Sequence, residues 1–307
     1  MNELLIQDGD LLRELTSNYY ANNDFEKIKG EIELATEELE LIVGSEVIEL
    51  ARQQLNAAEQ ERDGLLLRKV QRPIALLATL HLYQKNDLSH EDDGRKFKVS
   101  TDGQEKLPWE WQLDRDDQIH MNEYYKSVDA LVRYLNVVRP QAWVEGNTYK
   151  MSQLLLVRNG SQLAGYYPVE QSERTYLLLM PFLREAQRKT IQPCYGSNFD
   201  QLLAEDQLPE SDAHFAACEA CVMLALSYAL RRLPLRLLPG GIVKYYMAEN
   251  GMKGGEACTI EEVKRVSEWM EKDAKQWIEQ MKRYRDGSNP DYQLTPNNSK
   301  RNKYMVL

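Results

Sequence analysis

The chain has 307 residues, 43% of them hydrophobic, and 38 Lys+Arg against 48 Asp+Glu give a formal net charge of −10. That length suits two domains of about 150 residues or one large one. A general nucleic-acid binder presents a basic surface that displaces counterions, and this composition argues against one.

The acidity is uneven. Residues 1–140 hold 28 acids and 17 bases, net −11, whereas residues 141–307 hold 20 and 21, net +1. The 16 glycines and 11 prolines fall below the usual ~12% of residues, which favours long helices. The opening MNELLIQDGDLLRELT lacks a basic region followed by an apolar stretch, so no secretory signal is expected. The apolar stretch Cys221 to Leu230 is expected to be too short to span a bilayer. These features predict a cytoplasmic protein without a membrane partner. Four cysteines, Cys194, Cys218, Cys221 and Cys258, do not read as a disulfide framework.

In chain order, Ile28, Ile32, Ala35, Leu39 and Ile42 form one apolar stripe at helical spacing, with Glu31, Glu33, Glu37, Glu38 and Glu40 on the other faces. Gly44-Ser45 is expected to stop that helix, with Ser45 capping a shorter one over 45–60. Residues 65–83 are apolar on most sides, as in a helix buried between others. Pro73 is expected to kink it or to mark its first turn. The polar segment Ser89 to Gly103 holds turn-forming HEDDG and STDG around RKFKV, a candidate short strand. Pro108 then marks the start of a long amphipathic helix running to about Val138, and Arg139-Pro140 ends it.

Residues 141–172 are less regular. A helix capped by Ser172 is predicted from Glu173 to about Thr190, interrupted at Pro181. A short helix follows over 198–205, a mostly apolar one over 212–232, a break at LPLRLLPGG and extended chain over 241–248. In the last helix, 260–285, Thr259 and Glu262 make a capping box, and Val263, Val266, Met270, Ala274, Trp277, Met281 and Tyr284 form its seam. The tail from 286 to 307 is polar until Met305, Val306 and Leu307. It reads as a disordered end or as an arm that docks through Met305 and Leu307.

The halves resemble each other. Ile42-Val43-Gly44-Ser45-Glu46-Val47 parallels Cys194-Tyr195-Gly196-Ser197-Asn198-Phe199, each after an amphipathic helix and before a short helix and an apolar one. Gly94 and Gly241 follow the two apolar helices, and each half closes with a long Trp/Tyr-bearing helix. A tandem duplication accounts for this order of parts; the competing account is that helical proteins look alike at this resolution. The expected fold is mainly α, with two related helical-bundle units at 1–140 and 141–285, short irregular or β-hairpin insertions, and a polar tail at 286–307.

Candidate chemistry is sparse. Cys218 and Cys221 form a CxxC with His214 one turn earlier, a spacing at which thiolates can share zinc. A structural site needs four ligands, and the same segment reads as the small-residue face of a buried helix. The residues three positions before His81, His90, His120 and His214 are Ala78, Asp87, Asp117 and Ser211, so no Glu-x-x-His of a di-metal bundle is present. Asp92-Asp93 and Asp116-Asp117 read as solvated turn and helix-face acids rather than a cation site. No cofactor and no catalysis are expected.

The 17 tyrosines far outnumber the 5 phenylalanines. Doublets such as Tyr124-Tyr125 and Tyr166-Tyr167 favour an interaction protein, because adjacent rings seldom enter one core. Together with the acids Glu31, Glu37 and Glu38 they are the candidate interface residues.

The phrases RKVQRPIALLATLHLYQK, KVSTDG, LPWEW and SERTYLLLMPFLREAQ followed by IQPCYGSNF resemble an uncharacterised family of phage and prophage proteins of Bacteroides-type bacteria. The single unit is also similar to the small helical head–tail connector proteins of long-tailed phages, which pair an N-terminal helix with an apolar helix ending near a Tyr, as Leu80-His81-Leu82-Tyr83 does here. The resemblance implies a structural virion protein, made in the host cytoplasm and carried in the virion, whose partners are portal, tail or neck proteins or further copies in a ring. It implies no sequence-specific nucleic-acid contact. This chain departs from the connector pattern in being about twice as long. The rival readings are a metal-binding helical enzyme using Cys218, Cys221 and His214, and a host helical adaptor.

Overall fold

The computed structural model describes residues 3–16, 19, 24–58, 63–91, 94–97, 109–204, 211–233, 235–238, 241–244 and 259–287, with backbone alone at 88–91, 94–97, 110, 235–238 and 241–244. The mainly α expectation holds. The first half contains α1 (Gly9–Leu15), α2 (Lys29–Val43), α3 (Ser45–Asn56), α4 (Gly64–Asn86), a hairpin of β1 (Leu88–Glu91) and β2 (Gly94–Phe97), and α5 (Glu110–Val138). Three short helices, α6 (Gln141–Val144), α7 (Asn147–Gln153) and α8 (Gly160–Tyr166), lead into the second. There, α9 (Glu173–Ala186) runs through a π turn at Gln187–Ile191 into α10 (Gln192–Tyr195). Then come α11 (Phe199–Ala204), α12 (Asp212–Arg232), a hairpin of β3 (Leu235–Leu238) and β4 (Gly241–Lys244), and α13 (Ile260–Arg285).

Local chemistry explains most boundaries. Asp8 caps α1, which the sequence reading missed, by accepting from the Leu11 N–H at 2.7 Å. Ser172 caps α9 and Thr259 caps α13, the latter with a reciprocal bond from the Thr259 N–H to Glu262 at 2.8 Å. Ser45 is not a cap: Gly44 occupies that place at φ 90, and the Ser45 hydroxyl turns to Glu46. Pro73 lies in the middle of α4 and Pro181 in the middle of α9, and neither ends its helix. Each lacks an N–H for the carbonyl one turn earlier, a cost that burial of the flanking apolar residues offsets. The buried Gln187 side chain accepts from the Leu156 N–H and donates to the Leu154 carbonyl, both at 2.8 Å, which ties the π turn to the loop after α7.

The buried side chains form two clusters, one from Leu5 to Trp143 and one from Leu155 to Met281. The first extends past residue 140, because Trp143 packs into it and donates its indole N–H to Asn136 at 3.1 Å. In the first half α4 packs between α2 and α5; in the second α12 packs between α9 and α13.

The correspondence reaches single residues. Gly44 and Gly196 both hold φ near 90, a conformation that favours glycine, and each donates its N–H to the carbonyl four residues back. Both hairpins are antiparallel pairs of four-residue strands, with Leu88 opposite Phe97 and Leu235 opposite Lys244. Displaced by 147 positions, buried Val70, Ile74, Leu77, Ala78 and Leu82 of α4 fall on buried Ala217, Cys221, Leu224, Ala225 and Ala229 of α12. Displaced by 150, buried Tyr124, Val128 and Leu131 of α5 fall on buried Ala274, Ile278 and Met281 of α13. Lys85 at the end of α4 pairs with Glu31 of α2, and Arg232 at the matching place on α12 pairs with Glu185 of α9.

Candidate protein-docking surfaces

The residues singled out from the sequence separate into three groups. Glu37 and Glu38 are exposed on α2, whereas Glu31 is 8% exposed and held by Lys85, with the His81 ring at 3.8 Å. Glu31 is therefore taken up inside the unit and is not a free contact residue. Tyr124 is likewise buried, and that burial raises its hydroxyl to about 12. Tyr125, its neighbour, lies under the Arg174 guanidinium at 3.5 Å from the ring centroid. Tyr166 packs on Phe215, and both Tyr166 and Tyr167 lie half-buried against the second core. The first doublet splits between a buried and a partly buried ring, the second does not, and all four rings pack against a core of the chain. Met305 and Leu307 lie outside the described residues, as do Asp92, Asp93 and Cys258.

Cys218, Cys221 and His214 lie on one buried stretch of α12. Cys218 Sγ sits 3.7 Å from His214 Nδ1. The Cys221 thiol donates to the Leu183 carbonyl at 3.5 Å, and burial raises its pKa to about 12. Among the described residues no group of three or more His, Cys, Asp and Glu converges. Asp117 accepts from Gln84 at 2.9 Å, and Asp116 faces His120 within α5. α12 is, by length and composition, long and apolar enough to cross a membrane, contrary to the expectation from its shorter apolar stretch. In the fold its apolar faces are covered by α9 and α13.

A polar joint connects the halves. Asp129 of α5 accepts from the Arg174 N–H at 2.8 Å and from Ser172 Oγ at 3.3 Å, and Arg133 donates to the Gln171 carbonyl at 3.2 Å. Glu173 is 1% exposed and accepts from the Gly160 N–H at 2.9 Å. Burial raises the Glu173 carboxyl above its ordinary range, and the Gly160 N–H opposes that shift. A Cβ on Gly160 would meet the Ser172 carbonyl oxygen at 2.6 Å, so this approach requires glycine.

Among the described residues, two grooves of opposite charge share no residue and no helix. One, of about 520 Å³, runs between α4 and α5 and is lined by Leu65, Arg68, Lys69, Arg72, Glu123 and Lys126. The other, of about 390 Å³, is bordered by Glu3, Leu4, Glu33, Glu37, Glu40 and Arg52 of the N-terminal segment, α2 and α3. The first carries four cations and one acid; the second carries four acids and one cation. Leu65 at the basic groove is 57% exposed, and Leu41 on α2 is 86% exposed. The basic groove escaped the sequence reading because residues 65–83 read as one helix apolar on most sides. The spacing of Arg68, Lys69 and Arg72 with Leu65, one residue per turn over two turns, was the available signal.

Among the described residues, two aromatic rings meet at the matching place of the second half. The ring of Phe215 on α12 meets that of Trp277 on α13 edge-on at 5.6 Å. Phe215 matches Arg68 and Trp277 matches Ser127 under the displacements given above, and both Arg68 and Ser127 line the open groove. No known protein family, no curated protein and no solved structure matches the chain.

Proposed function

We propose that the chain is a structural phage or prophage protein, of the head–tail junction or neck, that acts through protein–protein contacts. One observation carries the reading: the two halves repeat one order of elements with matched buried positions, while their charges diverge to −11 and +1. A tandem duplication explains the matched interior. Divergent surfaces on a shared framework fit a part that meets two different neighbours at once. The likeness to helical connector proteins adds the setting, and the oppositely charged grooves supply places for contact.

The test is co-purification with the portal, tail and neck proteins of the same genome, together with the identity of the neighbouring genes. Stable complexes with one of these proteins support the reading. A protein that binds none of them and lies far from terminase, portal and capsid genes contradicts it, and favours a host adaptor.

A further inference from the structure

We infer that the basic groove between α4 and α5 receives the acidic α2 ridge of a second copy of this chain, the row Glu33, Glu37 and Glu40 that forms one rim of the acidic groove. The inference rests on the proposed function only in treating the protein as one that assembles, and it specifies a contact which that reading does not.

Both surfaces carry charges without a partner among the described residues. Arg72 and Lys126 are exposed and have no ion pair among the described residues, and the same holds for Glu33 and Glu37; Glu40 is half-buried and likewise has no ion pair among the described residues. The two surfaces lie on different helices, so each remains open to another molecule. Their lengths agree. Glu33, Glu37 and Glu40 span eight residues of α2, and Leu65, Arg68 and Arg72 span eight of α4, each about 10 Å along its helix. Exposed leucines accompany both rows, Leu34 and Leu41 beside the acids and Leu65 beside the cations, so docking would bury apolar surface as well as match charge.

A nucleic-acid backbone fits less well. Glu123 and Leu65 stand in the basic groove, and the chain as a whole carries −10. Because the two patches are different, the contact is heterologous: each copy offers its ridge to one neighbour and its groove to another, which generates a closed ring or an open chain.

Charge reversal tests this directly. Arg72→Glu with Lys126→Glu makes the groove acidic; Glu33→Lys with Glu37→Lys makes the ridge basic. All four side chains are exposed, and an unchanged helical circular-dichroism signal and melting midpoint will show that each variant folds. By sedimentation velocity, the wild type should exceed the 35.7 kDa of one chain at low salt. Its self-association should weaken at least ~10-fold at 0.5 M salt, as expected for screened surface charges. Each reversed variant should remain a single chain, and an equimolar mixture of the two should associate again, since each ridge then faces an opposite groove.

A wild type that stays monomeric at low salt, or a mixture that fails to associate, overturns the inference. So does duplex DNA binding to monomers that is lost in the groove variant. A monomer that still co-purifies with portal or tail proteins would remove this contact and leave the proposed function standing; a self-associating protein that binds none of them would do the reverse.

Discussion

The α4/α5 pair and the α12/α13 pair hold matching places in the two halves, yet one is open and the other closed. α12 carries Ala216, Ala217, Ala220 and Ala225 at buried positions, and short side chains allow close helix approach. Ser227 and Ser267 then meet at 2.9 Å, Arg231 pairs with Glu271, and the Phe215–Trp277 ring contact seals the pair. α4 instead presents Arg68, Lys69 and Arg72 beside Leu65, and nothing larger than Ser127 opposes them at the matched position on α5. The matched interior positions carry different apolar residues, whereas the matched surface positions differ in charge and size.

The largest effect should come from the shared interior. Leu131→Ala in the first core and Met281→Ala at the matched place in the second each remove a fully buried side chain. Each should lower unfolding free energy by about 2–5 kcal/mol in urea titration, the range for large-to-small core changes. Similar losses at both sites support matched roles, and a loss at only one breaks the correspondence.

Next comes the joint between halves. Gly160→Ala forces a methyl against the Ser172 carbonyl and should cost about 1–3 kcal/mol, as overpacking does. Glu173→Ala strands the Gly160 N–H and should cost about 1–3 kcal/mol. Glu173→Gln keeps an acceptor for it and should cost less. The pH dependence has a definite sign. Burial raises the folded-state Glu173 carboxyl, so the folded chain holds this proton more tightly than the unfolded one. Stability is thus lost as pH rises from the ordinary glutamate value to the raised one. Glu173→Gln should abolish that component of the pH profile, and a profile unchanged by the substitution would contradict the assignment.

The smallest effect should come from the matched ion pairs. Lys85→Ala and Arg232→Ala remove partners that are more than half exposed. Thermal melts should therefore shift by no more than about 1 kcal/mol equivalent at either site.

Periodicity made most of the helices legible. The stripe from Ile28 to Ile42, the apolar run of α12 and the capping box of Thr259 and Glu262 each have a local cause written in adjacent residues. Pro181 misled, because it sits in a helix held by burial rather than by an unbroken ladder of hydrogen bonds, and Pro73 lies inside α4 rather than in its first turn. α1 was too short to show a period, and the π turn depends on Gln187 meeting a loop over thirty residues away in sequence. The candidate docking surfaces were only half legible. Glu37 and Glu38 are exposed as their position on α2 implies, but Glu31 and Tyr124 belong to the interior. The pairing of α4 with Lys126 required knowledge of which helices lie side by side.

The central claim is that an α2 ridge enters the α4/α5 groove of the next copy, and intermolecular cross-linking tests it most directly. In a background with Cys194 and Cys258 changed to serine, one preparation carries Arg72→Cys and the other Glu37→Cys. On mild oxidation at low salt, the mixture should yield a disulfide-linked dimer well above the level formed by either preparation alone, and high salt should suppress it. No dimer in the mixture, or equal dimer in each preparation alone, would contradict the account.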